Sequence, residues 1–209
     1  KVYIVRPVEP SPEIAAMYEK VKKEVLIWIA QNTSLTIRNV LTRMLRLSQV
    51  TGGFVATDEN KIPQPIGDSN PKIISLLGIV DELGPTDKMI IWARFIHELQ
   101  LIRRVLEDNY HAPVARWWGE IPEETRSLEL DRFMQDDNCR FFVGQPHSGG
   151  FGTTITAANH VVYFSNDFSL LARLQSEDRA HRIGQTRSVT YHDLVMPKTI
   201  DEKLLKVLS

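Results

Sequence analysis

The sequence predicts an α/β fold in which one parallel sheet is covered by helices on both faces, and three observations carry that prediction. From residue 88 onward, short β-rich runs alternate with helical patterns: strands near Lys88–Ala93, Ala112–Trp117, Arg140–Val143, Val161–Phe164 and Val189–Val195, and helices over Phe95–Leu106, Pro122–Met134 and Leu171–Ile183. Each of those helices is long enough for a crossover, and strand, helix, strand in series builds a parallel sheet. Finally, 43% of the 209 residues are hydrophobic, which suffices to bury one sizeable core with a smaller appendage.

Earlier elements follow from local signals. Ser11-Pro12-Glu13 reads as an N-cap, a proline at the first helical position and an acidic first turn, opening a helix that runs to about Ile29. A second helix places Ile37, Val40, Leu41, Met44, Leu45 and Leu47 on one face and breaks at Thr51-Gly52-Gly53. Residues 56–70 carry Pro63, Pro65 and Gly67 with little periodicity, a connecting loop before a helix from Pro71 to about Leu83. The expected division is therefore 1–70, an N-terminal strand with a helical appendage and connecting loop, and 71–209, the α/β lobe.

Composition narrows the class. No apolar run approaches the length of a membrane span, the longest being Lys88–Ala93 and His160–Phe164. Cys139 is the only cysteine, which excludes an internal disulfide framework and fits a reducing, intracellular compartment. Twenty-five basic against 26 acidic residues give a net charge of −1, so a nucleic-acid surface would have to be local; Lys22-Lys23, Arg43 with Arg46, Arg103-Arg104, and Arg173, Arg179, Arg182 and Arg187 are the candidates. The six histidines show no clustered ligand spacing, so no metal site is expected. The chain opens Lys1-Val2-Tyr3 without an initiator methionine or leader, which reads as an excised piece of a longer protein.

In an open parallel sheet the binding crevice lies at the carboxyl ends of the strands, and the chemistry is sought there. The most informative run is Gln175 to Gln185, containing Asp178-Arg179-Ala-His181-Arg182-Ile-Gly184. On a helix, Gln175, Asp178, Arg179 and Arg182 would share one face, with Gly184 ending the helix. A planar guanidinium grips two phosphate oxygens and never loses its charge, as stabilisation of a transferring phosphoryl group requires. Spacing alone leaves a second reading open, a solvated ladder in which Asp178 and Arg182 form a pair contributing about 0.3–0.5 kcal/mol.

Upstream, Ser148-Gly149-Gly150-Phe151-Gly152 followed by Thr153, Thr154 and Thr156 is a turn whose glycines let backbone amides approach a phosphate closely, with hydroxyl donors beside them. Its spacing does not match the dinucleotide fingerprint. Lys88-Met-Ile-Ile-Trp-Ala93-Arg94-Phe95 is a buried strand running into a helix, and Trp117-Trp118-Gly119 through Arg126 is a loop entering a helix N-terminus, which favours anions. The paired tryptophans could stack on bases or fill the core; large aromatics usually do the latter, and at least one is expected there.

These runs together resemble the Swi/Snf-like branch of superfamily-two helicases, over nearly the whole chain. Gln175–Gln185 is similar to the sixth helicase motif without a gap, the glycine-rich turn to the fifth, and Lys88–Phe95 to the fourth. The resemblance implies a RecA-like, P-loop NTPase-like second motor lobe of an ATP-dependent duplex-DNA translocase. It implies that Arg179 and Arg182 act as arginine fingers, Arg182 principally, and that Gln175, Asp178, Gly152 and Thr154 line the nucleotide. It also implies nucleic-acid contacts at Ala93, Arg94, Trp118, Gly119, Ser148, Gly149, Gly150 and Thr156.

Three departures stand out: Ser165-Asn-Asp167-Phe168-Ser169 replaces the family's Asp and Trp-Asn-Pro run, Thr154 stands where asparagine is usual, and Trp118 where aspartate is usual. The phosphate cradle G-x-x-x-x-G-K-[ST] and an acidic magnesium motif are missing from the sequence. ATP with Mg2+ is therefore expected to be held mainly by an N-terminal lobe of the same polypeptide, and this piece alone to be inactive. A catalytically silent binding module and a strand-separating helicase are the alternatives. Short connections between motifs favour the cytoplasm of a bacterium or virus-infected cell over a nucleus.

Overall fold

The computed structural model describes residues 1–32, 36–56, 62–148 and 153–208. Strand β1 (Val2–Pro7) leads into two helices, α1 (Pro12–Gln31) and α2 (Ile37–Thr51), which pack on each other. The Ser11 hydroxyl caps α1 by accepting from the Ile14 amide, and Thr36 caps α2 through the Asn39 amide. A short antiparallel pair joins β2 (Phe54–Val55), just before the stretch read as plain loop, to β3 (Gln64–Pro65), inside it. Two-residue strands are too short to show a periodicity, so nothing in the sequence announces them.

Helix α3 (Pro71–Asp81) opens the main unit, capped by Asn70 and started by Pro71. It is followed by β4 (Met89–Trp92), α4 (Ile96–Tyr110), β5 (Val114–Trp117), α5 (Glu123–Gln135), β6 (Phe141–Gly144), β7 (His160–Tyr163), α6 (Leu170–Ala180), β8 (Thr190–Val195) and α7 (Ile200–Leu208). Six strands form one wholly parallel sheet in the order β1-β8-β7-β4-β6-β5. β1 is an edge strand in register with β8, Val2 opposite Thr190, so the first residues of the chain return to the sheet after the helical appendage is counted out.

Alternation along the strands sorts the core into two layers. Met89, Ile91, Phe141, Val143, Val162 and Leu194 face one side with Leu76 of α3, Leu99 and Ile102 of α4 and Leu204 of α7. Ile90, Trp92, Phe142, Val161, Tyr163 and Tyr191 face the other with Phe133 of α5 and Ala180 of α6. Helices thus cover both faces, as strands buried on both sides require. No described helix is long and apolar enough to cross a membrane.

Helix α6 ends earlier than its periodicity suggests, at Ala180 rather than Ile183. The cause is competition for its last carbonyls: Ile155 N–H donates to the Arg179 carbonyl at 2.8 Å, and the Gln185 amide reaches the Ala180 carbonyl at 3.2 Å. With those acceptors taken by the neighbouring loops, the helical ladder cannot continue. Arg182 therefore stands beyond the helix, and the expected single face bearing Arg179 and Arg182 does not form.

Candidate functional site

The carboxyl ends of β4, β5, β6 and β7 lie side by side because the strands are parallel and in register, Trp92 pairing with both Gly144 and Tyr163, and Trp117 with Gly144. Close packing of that edge explains Gly144: a side chain there would collide with the Trp117 backbone and the Trp92 ring. The chain leaving β4 is Ala93-Arg94-Phe95. Ala93 is fully buried, its amide donating to the Gly144 carbonyl at 3.1 Å, while Arg94 is half-exposed.

Arg94 is held from several sides. Its amide donates to Ser165 Oγ at 2.8 Å, its guanidinium donates to Asp167 Oδ1 at 3.0 Å, and its plane lies 4.5 Å from the Phe168 ring. His147 Nε2 meets the second oxygen of Asp167 at 2.7 Å, and Gln145 Nε2 donates to the Arg94 carbonyl at 2.8 Å. Partial burial lowers the guanidinium's pKa, against the opposing pull of Asp167 and Glu98. The guanidinium nonetheless stays charged at neutral pH.

At the glycine-rich turn the described residues stop at Ser148 and resume at Thr153, so Gly149, Gly150 and Gly152 lie outside them. Ser148 is buried, and its carbonyl accepts from two donors, the indole of Trp117 and the Arg179 guanidinium at 3.2 Å. Arg179 itself is 7% exposed, its guanidinium 5.6 Å from the Trp92 ring, and burial lowers its pKa against the partial compensation of Tyr163. Across the turn, exposed Arg182 donates to Thr154 Oγ1 at 3.2 Å. The Gln185 amide nitrogen lies within 3.0 Å of the Thr156 carbonyl and 2.8 Å of the Ala158 carbonyl. The stretch after the glycines is thereby tied to the end of α6.

The remaining expected site residues separate into exposed and buried groups. Gln175 is half-buried and Asp178 exposed on the outer face of α6, the latter 3.2 Å from the Lys1 ammonium. Gly119 is exposed, whereas Trp118 is 5% exposed and Trp117 equally buried, so neither ring offers a stacking surface for bases. Arg173 is no part of an open basic surface: its guanidinium is buried against Asp193 and Glu177. Arg187 is paired with Asp87. Sequence reading missed Gln145, His147, Ser165 and Asp167; the signal available was their position just after β6 and β7, at the sheet edge where binding residues collect.

Comparison with known proteins decides what this edge belongs to. The model of the helicase conserved C-terminal domain matches residues 71–184, more than half of the chain. The chain belongs to that family. The ATP-dependent helicase fft1 of Schizosaccharomyces pombe is 33% identical over 138 residues, covering 66% of this chain and 14% of fft1. The putative ATP-dependent helicase/translocase YwqA of Bacillus subtilis is 25% identical over 93% of this chain and 21% of its own length. The Sulfolobus solfataricus SWI2/SNF2 ATPase core in complex with dsDNA superposes with a TM-score of 0.79 at 27% identity, over 99% of this chain and 43% of that one.

This helicase C-terminal domain is therefore of the Swi/Snf-like branch, and its sheet is that of a RecA-like second lobe. It spans about a seventh of fft1 and a fifth of YwqA. The expected preference for a bacterial or viral cytoplasm does not hold. Helicases of eukaryotes are among those similar to this chain, including FUN30 of Saccharomyces cerevisiae, domino of Drosophila melanogaster and the DNA repair protein rad8 of Schizosaccharomyces pombe. Short connections between motifs do not track the kind of cell.

Proposed function

We propose that this chain is the second lobe of an ATP-dependent translocase on double-stranded DNA, supplying arginines to ATP bound on an N-terminal lobe of the same polypeptide. The single observation that carries the reading is the position of Arg182. It leaves the helix end exposed, beside Thr154 at the end of the glycine-rich turn, so its guanidinium faces outward next to further hydrogen-bonding groups. A guanidinium in that setting can neutralise charge developing on a γ-phosphoryl group when a second lobe closes over it.

Arg182 is the principal finger in this reading and Arg179 the second, its guanidinium bracing the Ser148 carbonyl until the nucleotide arrives. Gln175, Asp178, Gly152 and Thr154 would line the nucleotide from this side. ATP with Mg2+ would be held mainly by the other lobe, since the phosphate-cradle sequence is not part of these 209 residues. Along the sheet edge Arg94, Gly119, Ser148, Gly149, Gly150 and Thr156 would meet the DNA backbone; Ala93 and Trp118 are buried, so any contact of theirs is through backbone atoms. Residues 1–70 would form an appendage that returns one strand, β1, to the lobe at 71–209.

The test is duplex-stimulated ATP hydrolysis by the full-length protein. Arg182→Ala should lower the turnover on the order of 10³-fold while leaving duplex binding in place. Retained stimulated turnover would sink the arginine-finger assignment. Comparing duplex, single-stranded DNA and RNA as stimulators, with an unwinding assay on a tailed duplex, separates translocation from strand separation.

A further inference from the structure

Beneath Arg94 lies a buried carboxyl group that the proposed chemistry does not use. Glu98, in the first turn of α4, is 1% exposed. Its Oε2 accepts from the Ser165 hydroxyl and from the Phe95 amide, the latter at 3.2 Å. Ser165 Oγ in turn accepts the Arg94 amide. One oxygen thus anchors, through a single hydroxyl, both the turn leaving β4 and the second residue after β7.

Among the described residues, Oε1 of the same carboxyl has no hydrogen-bond partner, and it is buried from water. It is pressed against Gly52, at the end of α2, where a Cβ would collide with it. The charged groups facing Glu98 are Lys72 from α3, Asp201 from α7 and Arg94 from the turn after β4. Lys72 is fully buried and already committed, donating to the Phe164 carbonyl at 3.0 Å and to Asp201 at 2.7 Å. Neither contact reaches Oε1. An ionised carboxylate with one oxygen unpaired in such a place is costly.

We propose that Glu98 is a positioning residue, held in its protonated form, that sets Arg94 through Ser165 at the edge assigned above to DNA. The DNA part of this rests on the proposed function; the link from Glu98 to Arg94 does not. Burial pushes the Glu98 carboxyl up to about 7, with the Ser165 hydrogen bond and Lys72 opposing it. A carboxyl whose folded value is raised loses its contribution as pH rises from the ordinary value of 4.5 toward 7, and the loss levels off above that. Local opening around Arg94 should follow the same window.

Amide exchange in the full-length protein reads this directly. Corrected for intrinsic rate, protection of the segment 94–98 should fall about tenfold between pH 5.5 and pH 6.5 and level off above about 7. Glu98→Gln, which keeps an accepting oxygen and cannot ionise, should hold that protection constant. An unchanged pH slope in Glu98→Gln overturns the proposal. Duplex affinity gives the second arm: Glu98→Ala should weaken binding by about the same factor as Arg94→Ala, and the double variant should be no worse than either. Additive losses would also overturn it. If Arg94→Ala leaves duplex affinity unchanged while the exchange behaviour is as expected, the DNA assignment of this edge fails and the positioning of Arg94 by Glu98 stands.

Discussion

Arg173 illustrates how a residue that reads as surface charge becomes a structural one. Its guanidinium stacks 3.5 Å from the Tyr163 ring, donates to both oxygens of Asp193 at 2.6 and 2.9 Å and reaches Glu177 at 2.8 Å. Two buried carboxylates lean on it, so Arg173→Met would leave Asp193 without its cation and Glu177 with only Lys1, 3.2 Å away, at a cost of about 3–5 kcal/mol, measurable by denaturant unfolding. Acid should act on the same group. Burial raises the Glu177 carboxyl, but hydrogen bonds from Tyr3 and Arg173 outweigh it, and the net value is lowered. A lowered carboxyl contributes stability above its ordinary 4.5 that is lost as pH falls further. Wild type should therefore lose stability on acidification below that value more steeply than Arg173→Met. An equal acid slope in the two proteins would show that the pair does not couple to folding.

At the scale of elements, the end of α6 is fixed by a loop and not by its own sequence. Gly184 has φ +101°, a region that side chains rarely adopt, and it lets the chain turn so that Gln185 points back. The Gln185 amide has two protons and three carbonyls within reach, those of Thr156, Ala158 and Ala180. Gln185→Leu should cost about 1–3 kcal/mol by leaving acceptors unpaired, and Gly184→Ala roughly 1–2 kcal/mol by strain. Both should loosen Arg182 relative to Thr154, so stimulated ATP turnover in the full-length protein should fall more than stability alone accounts for. Turnover that tracks only the folded fraction would exclude this link.

The same element marks the limit of what was legible. Apolar runs and caps located the five strands from residue 88 onward and the helices between them, because burial on two sides imposes a pattern that a sequence displays. The helix stop at Ala180 depends on acceptors being claimed by side-chain and loop groups off the helical ladder, Gln185 just beyond it and Ile155 well before it, which no helical periodicity displays. Ser165 and Asp167 were visible only as departures from a resemblance. Their partners, Glu98 and Arg94, are about 70 residues away, and no local spacing could join them.

For the whole molecule, the sheet gathers one set of groups at its carboxyl edge, which the proposed function makes half of an ATPase site. The 209-residue chain alone should hydrolyse no ATP above background, with or without duplex DNA, since the phosphate cradle and acidic motif are not in its sequence. In the proposed reading, binding to the DNA backbone is a separate matter and would be carried by local cations, although the net charge is −1. In the full-length protein, log affinity for duplex should fall linearly with log salt, and Arg94→Ala should reduce that slope by about 1 while weakening all sequences equally. Arg182→Ala should leave the slope unchanged, because its guanidinium is assigned to the nucleotide. If instead Arg182 alters the salt slope and Arg94 does not, the assignments of the two cations are exchanged, and the exposed end of α6 becomes the surface that tracks DNA.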